Sequence, residues 1–320
     1  MHRATIWPCM QPQRMASSAS SNTVPTKTSM TSNRPSHSLI ETITAELATT
    51  STAFKRVSTY LLKAPGDFMH KSIQEISSAA QVSEPTVLRY SRHFGYKGIP
   101  EFRIALAMSL VDQANAQAAS QQFVEPNVAD KAVVNRDLKL AIGRAAVQLL
   151  EPDRAIILDS GSTTAIFARQ LRSVAGRTIL TTGLNVVEAL WGAEQHTLML
   201  PAGTLRFESK SLSGRMVETT LQNMRFDTGY FGADSIDPEA GLSTFNEAEA
   251  HQGAAMMGAC TRVVVLADSS KFKSPALHRI CALDRIHTIV TDTGLPLEIA
   301  NALIARGTHV IRVDPAPATA

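Results

Sequence analysis

The chain has 320 residues, 44% hydrophobic and 18% charged, with three cysteines. At about 150 residues per domain this predicts two domains, with the balance of a folded, water-soluble protein rather than a disordered, fibrous or membrane one. The formal net charge of +3 divides unevenly: residues 1–115 carry 12 Lys or Arg against 7 Asp or Glu, a net +5, and residues 116–320 carry 19 against 21, a net −2.

No apolar run, Val263 to Ala267 included, approaches the ~18 residues of a spanning helix, so no membrane partner is expected. Cys9, Cys260 and Cys281 have neither paired spacing nor a companion set of histidines, which excludes a disulfide framework and a zinc site. A reducing cytoplasm fits that usage; no metal and no cofactor are expected. The basic excess at one end is a pointer toward a polyanion such as nucleic acid.

Residues 1–37 are rich in Ser, Thr, Pro and Asn and have no hydrophobic period, so they read as a disordered tail. Met15 and Met30 are alternative starts, and Trp7-Pro8 interrupts any apolar core of a secretory signal. From 38 to 116 the pattern is helical in short pieces. Ile40, Ile43 and Leu47, then Phe54, Val57 and Leu61, recur at i, i+3, i+7, and Pro65-Gly66 closes the second helix. Ser72 with Glu75 forms a capping box for a helix that buries Ile73, Ile76 and Ala80. Gln81-Val82 breaks the chain, Ser83 caps the next helix with Pro85 in its first turn, and Gly95 ends it after Phe94. Two short helices across a tight turn are helix-turn-helix geometry. Pro100 opens a last helix, 101–116.

The second helix of that pair turns Val87 and Phe94 inward, with Val82 just ahead. It leaves Thr86, Arg89, Arg92 and His93 for solvent or ligand. Short polar groups at the helix start and guanidinium groups along one side suit a major groove. Ser83, Glu84 and Thr86 would approach base edges and Arg89 would pair with a guanine, while Arg92 and Lys97 would hold phosphates. The same charges would also suit a merely solvated helix face. This stretch, with its Val-Ser-Glu-Pro-Thr-Val-Leu-Arg-Tyr core and trailing His-Phe-Gly-Tyr-Lys-Gly, resembles the N-terminal helix-turn-helix of RpiR-type bacterial transcription regulators over residues 39–110. The resemblance implies binding of a double-stranded DNA operator by a homo-oligomer, a dimer or tetramer.

Residues 117–135, rich in Ala, Gln and Asn with Pro126, read as a linker. Beyond them, buried-type runs at 155–158, 178–180, 198–200, 230–231, 263–266, 288–290 and 309–313 alternate with helical patterns at 163–171, 185–192, 212–224, 247–260 and 297–305. An α/β domain over 136–313, a mainly parallel sheet with helices on both faces, follows, and 314–320 is a tail. Ligands of such sheets bind at the carboxyl ends of the strands.

Asp159-Ser-Gly-Ser-Thr-Thr164 joins a strand to a helix. Gly161 admits a ligand close to the backbone, the helix start offers unpaired N–H groups, and Ser160, Ser162, Thr163 and Thr164 add hydroxyls. That suits an anion such as phosphate, although Ser and Thr cap ordinary helices too. Gly232-Ala-Asp234 and Ala267-Asp-Ser-Ser-Lys271 follow strands, so Asp234 and Lys271 fall on the same sheet edge as Asp159. Asp234 would accept from sugar hydroxyls and Lys271 would pair with a phosphate; alternatively Asp234 caps a turn and Lys271 sits on the surface.

Together with Thr181-Thr-Gly-Leu-Asn185, Leu212-Ser-Gly214 and Arg225-Phe-Asp227, these motifs are similar to the C-terminal effector domain of DeoR-type repressors over residues 136–313. Thr182 stands where that family commonly has Asn, and Pro201-Ala-Gly203 replaces paired glycines. The resemblance implies a fold related to ribose-5-phosphate isomerase and a phosphorylated sugar as effector, and the Arg-Arg-Asp signature of the usual DeoR winged helix is absent. The chain reads as one family's DNA reader joined to another's sensor, a regulator of sugar metabolism genes and not an enzyme. The rival is a phosphosugar isomerase using Asp159, Asp234, Glu249 and Lys271 as acid, base and electrophile. Against it, Gly241-Leu-Ser-Thr-Phe245 stands where those isomerases carry a Gly-rich loop with a lysine.

Overall fold

The structure, a computed structural model, describes residues 38–117, 125–151 and 153–315. The expected tail at 1–37, Cys9 within it, and most of 314–320 lie outside the described residues. The helical part begins with α1 (Leu39–Glu46), fixed by a capping box between Ser38 and Glu41, and α2 (Thr52–Lys63), capped by Ser51. Pro65-Gly66 does more than end α2. Pro65, whose missing N–H costs nothing at the first helical position, starts a short α3 (Pro65–His70). In α4 (Ile73–Ala79) the Ser72–Glu75 capping box forms as the sequence predicts. Gln81 then takes a left-handed φ of 54°, turning the chain into α5 (Glu84–His93), and Gly95 at φ 83° releases it into α6 (Ile99–Gln117). Ile43, Val57, Leu61, Phe68, Ile76, Val87, Tyr90 and Phe102, all fully buried, form one core for these six helices.

Within the stretch expected to be a linker, residues 118–124 lie outside the described residues, but 128–133 form a helix, α7 (Val128–Val133). It leads through Asn135, left-handed at φ 55°, into α8 (Arg136–Val147). A parallel sheet follows, built from β1 (Ala155–Leu158), β2 (Thr178–Thr181), β3 (Thr197–Met199), β6 (Phe226–Phe231), β9 (Cys260–Leu266), β11 (Thr288–Asp292) and β12 (His309–Val313). Its order is β12-β11-β9-β6-β1-β2-β3, and every neighbouring pair is parallel. Successive side chains of a strand point to opposite faces, so the sheet feeds two cores. Ile156, Leu158, Ile179 and Val264 pack under α8, α9 (Ser162–Leu171) and α10 (Leu184–Leu190), while Ile157, Leu180, Val263 and Val265 pack under α11 (Arg215–Gln222), α12 (Glu247–Gly258) and α13 (Leu297–Ala305). Burial on both faces is why these strands read as unbroken apolar runs.

Two additions carry no such signal. β4 (Thr204–Arg206) and β5 (Ser211–Ser213) form a hairpin, so the helix expected over 212–224 starts only at Arg215. β7 (Ser235–Asp237), β8 (Gly241–Thr244) and β10 (His278–Cys281) form an antiparallel sheet beside the carboxyl ends of the main strands. From β1 the chain winds outward to β2 and β3, then crosses back to β6, so the order reverses between β1 and β6. Such a switch point opens a crevice at the strand ends.

Candidate functional site

In the helical part, α5 has a buried and an exposed face. Val87 and Tyr90 point inward, and the Tyr90 ring lies among Phe54, Phe94 and Phe102 with its hydroxyl 2.7 Å from Ser58 Oγ. Thr86, expected at the base edges, is buried instead, because it lies four residues before Tyr90 and so shares its face. Its hydroxyl sits 2.9 Å from Ser83 Oγ and accepts from Arg89 Nη2 at 3.3 Å. Ser83 occupies the cap position of α5 but makes no capping bond. Ser83, Glu84, Arg89, Arg92, His93 and Lys97 are exposed. His93 is anchored, its Nε2 2.7 Å from Glu46 Oε2. The exposed face of α5 therefore offers cations and short polar groups on a rigid aromatic base.

In the α/β part, a cleft opens at the switch point. Its floor is the turn from β1 into α9. Gly161 is the cap residue of α9 and brings no side chain to it, while Ser162 and Thr163 line the cleft. Ser160 and Thr164, expected as ligand groups, do not line it. Thr164 Oγ1 turns back into the turn, its one proton shared between the carbonyls of Asp159 and Gly161, and the carbonyl of Ser160 accepts from Asn185 Nδ2 at 2.8 Å. A Cβ on Gly183 would lie 2.7 Å from Ser160 Cα, so the Thr181–Asn185 motif buttresses the turn and needs its glycine there.

Asp159, Gly232, Asp234 and Lys271 line the cleft, as expected from their places after β1, β6 and β9. Asp159 Oδ2 accepts from the Gly232 N–H at 3.1 Å. Burial pushes its carboxyl up, against the pull of that and neighbouring N–H groups. Sequence reasoning missed the partner of Asp234. Lys131, from α7, places Nζ 3.1 Å from Asp234 Oδ1, and Thr244 Oγ1 lies 3.0 Å from Asp234 Oδ2. Burial alone would raise the Asp234 carboxyl, but the Lys131 and Lys271 ammonium groups outweigh it and hold it well below the usual range.

Glu249 is its opposite. Burial, then the charge of Asp234, push its carboxyl up to about 8. Thr244 Oγ1 is 2.9 Å from Glu249 Oε2 as well as bonded to Asp234, and a hydroxyl has only one proton to give. The chain is satisfied when a protonated Glu249 donates to Thr244 and Thr244 donates to the ionised Asp234. One turn along α12, Gln252 donates Nε2 to Thr182 Oγ1 at 2.7 Å, while its buried Oε1 has no partner. The cleft thus combines a helix start with no side-chain cap, two ammonium groups, hydroxyls and an open acceptor, over apolar walls of Phe231, Leu242, Met257 and Ile280. Among the described residues, no cluster of His, Cys, Asp and Glu has the make-up of a metal site, and no helix is long and apolar enough to cross a membrane.

The profile of the DeoR C-terminal sensor domain matches residues 134–293, and that of the rpiR-family helix-turn-helix domain matches residues 37–113. The chain belongs to the DeoR sensor-domain family. Its relatives include a protein named as an aga operon transcriptional repressor of Escherichia coli O157:H7, 41% identical over 59% of this chain and 71% of that one. The HTH-type transcriptional regulator GlpR of Haloferax volcanii is 27% identical over 75% of this chain and 91% of its own. Among solved structures, ribose 5-phosphate isomerase A of Methanocaldococcus jannaschii aligns at 23% identity and TM-score 0.33, over 43% of this chain and just over half, 55%, of the isomerase. This DeoR-type chain with an RpiR-type reader is a DNA-binding transcriptional regulator, and the isomerase alternative gives way to that family membership.

Proposed function

We propose that this regulator reads its operator through the exposed face of α5 and is controlled by a phosphorylated sugar in the cleft, repressing sugar metabolism genes in the cytoplasm as a homo-oligomer. The observation that carries the reading is the start of α9. It faces a cleft with no side chain capping it, and a helix start with unpaired N–H groups and partial positive charge is an anion site. Lys271 supplies a full charge for the phosphate. Asp159, Asp234, Glu249 and the open Gln252 Oε1 supply acceptors and donors for sugar hydroxyls.

On the reader, Arg89 suits a guanine edge, Ser83 and Glu84 flank it, and Arg92 and Lys97 suit the backbone phosphates. A two-fold oligomer would present two copies of α5 one helical turn of DNA apart. A ligand that binds only the folded state raises its melting temperature. In a thermal-shift screen, at least one phosphorylated sugar should stabilise the protein where its unphosphorylated counterpart does not. Gly161→Leu, which places a bulky side chain at the helix start, should abolish the shift. Equal stabilisation by the unphosphorylated sugars would refute the phosphate assignment.

A further inference from the structure

The helix α7 lies between the two functional parts and packs against α6 of the reader and against α9, whose start forms the floor of the cleft. Two consecutive residues of α7 reach in different directions. Lys131 enters the cleft and pairs with Asp234. Asp130 meets Arg103 of α6, its Oδ2 3.5 Å from Arg103 Nη1, with both side chains about one-tenth exposed. Arg103 is itself a junction: Nε donates to the Phe68 carbonyl at 3.0 Å and Nη2 to the Lys71 carbonyl. Those carbonyls belong to the end of α3 and to the residue just before Ser72, the cap of the first helix of the DNA reader.

The sensor holds α7 at both ends. The Val128 N–H donates to the Glu208 carbonyl at 2.8 Å. At the other end the buried Lys139 ammonium donates to the carbonyls of Lys131 and Val134, and Asn135 Nδ2 donates to Asp268 at 3.1 Å. Asp130 and Lys131 are consecutive residues of one six-residue helix and stand about 100° apart, so a shift of α7 that draws Lys131 from Asp234 toward the start of α9 also displaces Asp130 from Arg103.

We propose that Lys131 is a contact of the effector's anionic group and that α7 transmits its binding to the DNA reader through the Asp130–Arg103 pair. This rests on the reading that the cleft takes a phosphorylated ligand. The Lys131 ammonium is paired with Asp234, and the Glu249 and Glu125 carboxyls act on it from further off. A phosphate dianion at the start of α9 offers it twice the charge of the Asp234 carboxylate, and Asp234 retains Lys271 as a neighbour when Lys131 turns away. The Arg103 junction then loses its carboxylate, and the α3–α4 joint it holds is loosened.

The test is hydrogen–deuterium exchange on the full chain with inorganic phosphate as probe, comparing the native protein with Lys131→Met, Asp130→Asn and Arg103→Lys. In the native protein, phosphate should slow exchange at 160–164 and speed it at 68–73. Lys131→Met should need roughly tenfold more phosphate for the same protection. Asp130→Asn should keep the protection at 160–164 and lose the response at 68–73. Arg103→Lys, which keeps the charge but cannot span both carbonyls and the carboxylate, should do the same if Asp130→Asn proves unstable. A full response at 68–73 in both variants, or none in the native protein alongside clear protection at 160–164, would overturn the transmission role and leave the phosphate reading intact. No protection at 160–164 in the native protein would count against the phosphate site itself.

Discussion

Glu249 and Asp234 are carboxyls of one cleft whose environments drive them apart. Asp234 has the Lys131 ammonium against it, whereas Glu249 has burial and the Asp234 charge. The folded Glu249 keeps its proton up to about pH 8, while an unfolded glutamate loses it near 4.5. Between those values the unfolded chain binds fewer protons, so this group's contribution to stability falls as pH rises through the window. Glu249→Gln keeps a donor for Thr244 and removes the titration. Denaturant melts from pH 5 to 8 should therefore show a flatter profile for the variant, with a gain over the native protein that grows toward pH 8. An unchanged slope would show that Glu249 is ionised in the folded cleft. Asp159, Asp234 and Lys271 were legible in the sequence because each follows a strand, and strand ends converge. Lys131 was not: it lies 103 residues from Asp234, in a stretch whose polar composition reads as a linker.

Among the elements, those with a local signal were legible and those held only by distant contacts were not. The period of Ile40 and Ile43 announced α1, a capping box announced α4, and a doubly buried sheet announced β1, β9 and β11 as apolar runs. The hairpin strands β4 and β5 and the small sheet of β7, β8 and β10 are three or four residues each, rich in Ser and Thr, too short to show an alternation. On α5 the spacing of Val87 and Phe94 marks the buried face, but it does not reveal that Tyr90 and Thr86 share that face. A consequence follows for DNA binding. Arg89→Ala should cost roughly 1 to 3 kcal/mol and relax preference at one base position, whereas Lys97→Ala should weaken all sequences and lower the salt slope by about 1. Binding assays over a salt series with duplexes selected from a random pool distinguish the two. Native affinity in both variants would mean that α5 does not face the DNA.

At the scale of the whole molecule, the division of charge along the sequence follows its division of labour. The net +5 of residues 1–115 includes the exposed cations of α5, and the −2 of the remainder includes the carboxyls of the cleft. The two parts come from families with different readers and sensors, joined here by α7, so an effector must act across that junction. Control requires that the effector bind the DNA-free and DNA-bound forms unequally; a tenfold difference corresponds to about 1.4 kcal/mol. The most direct measurement is the affinity of the full chain for a selected duplex, titrated with and without the phosphorylated sugar that stabilises it most. At saturating sugar phosphate the DNA affinity should fall at least tenfold, and it should not change with the unphosphorylated sugar. Unchanged DNA affinity with the cleft saturated would contradict such control.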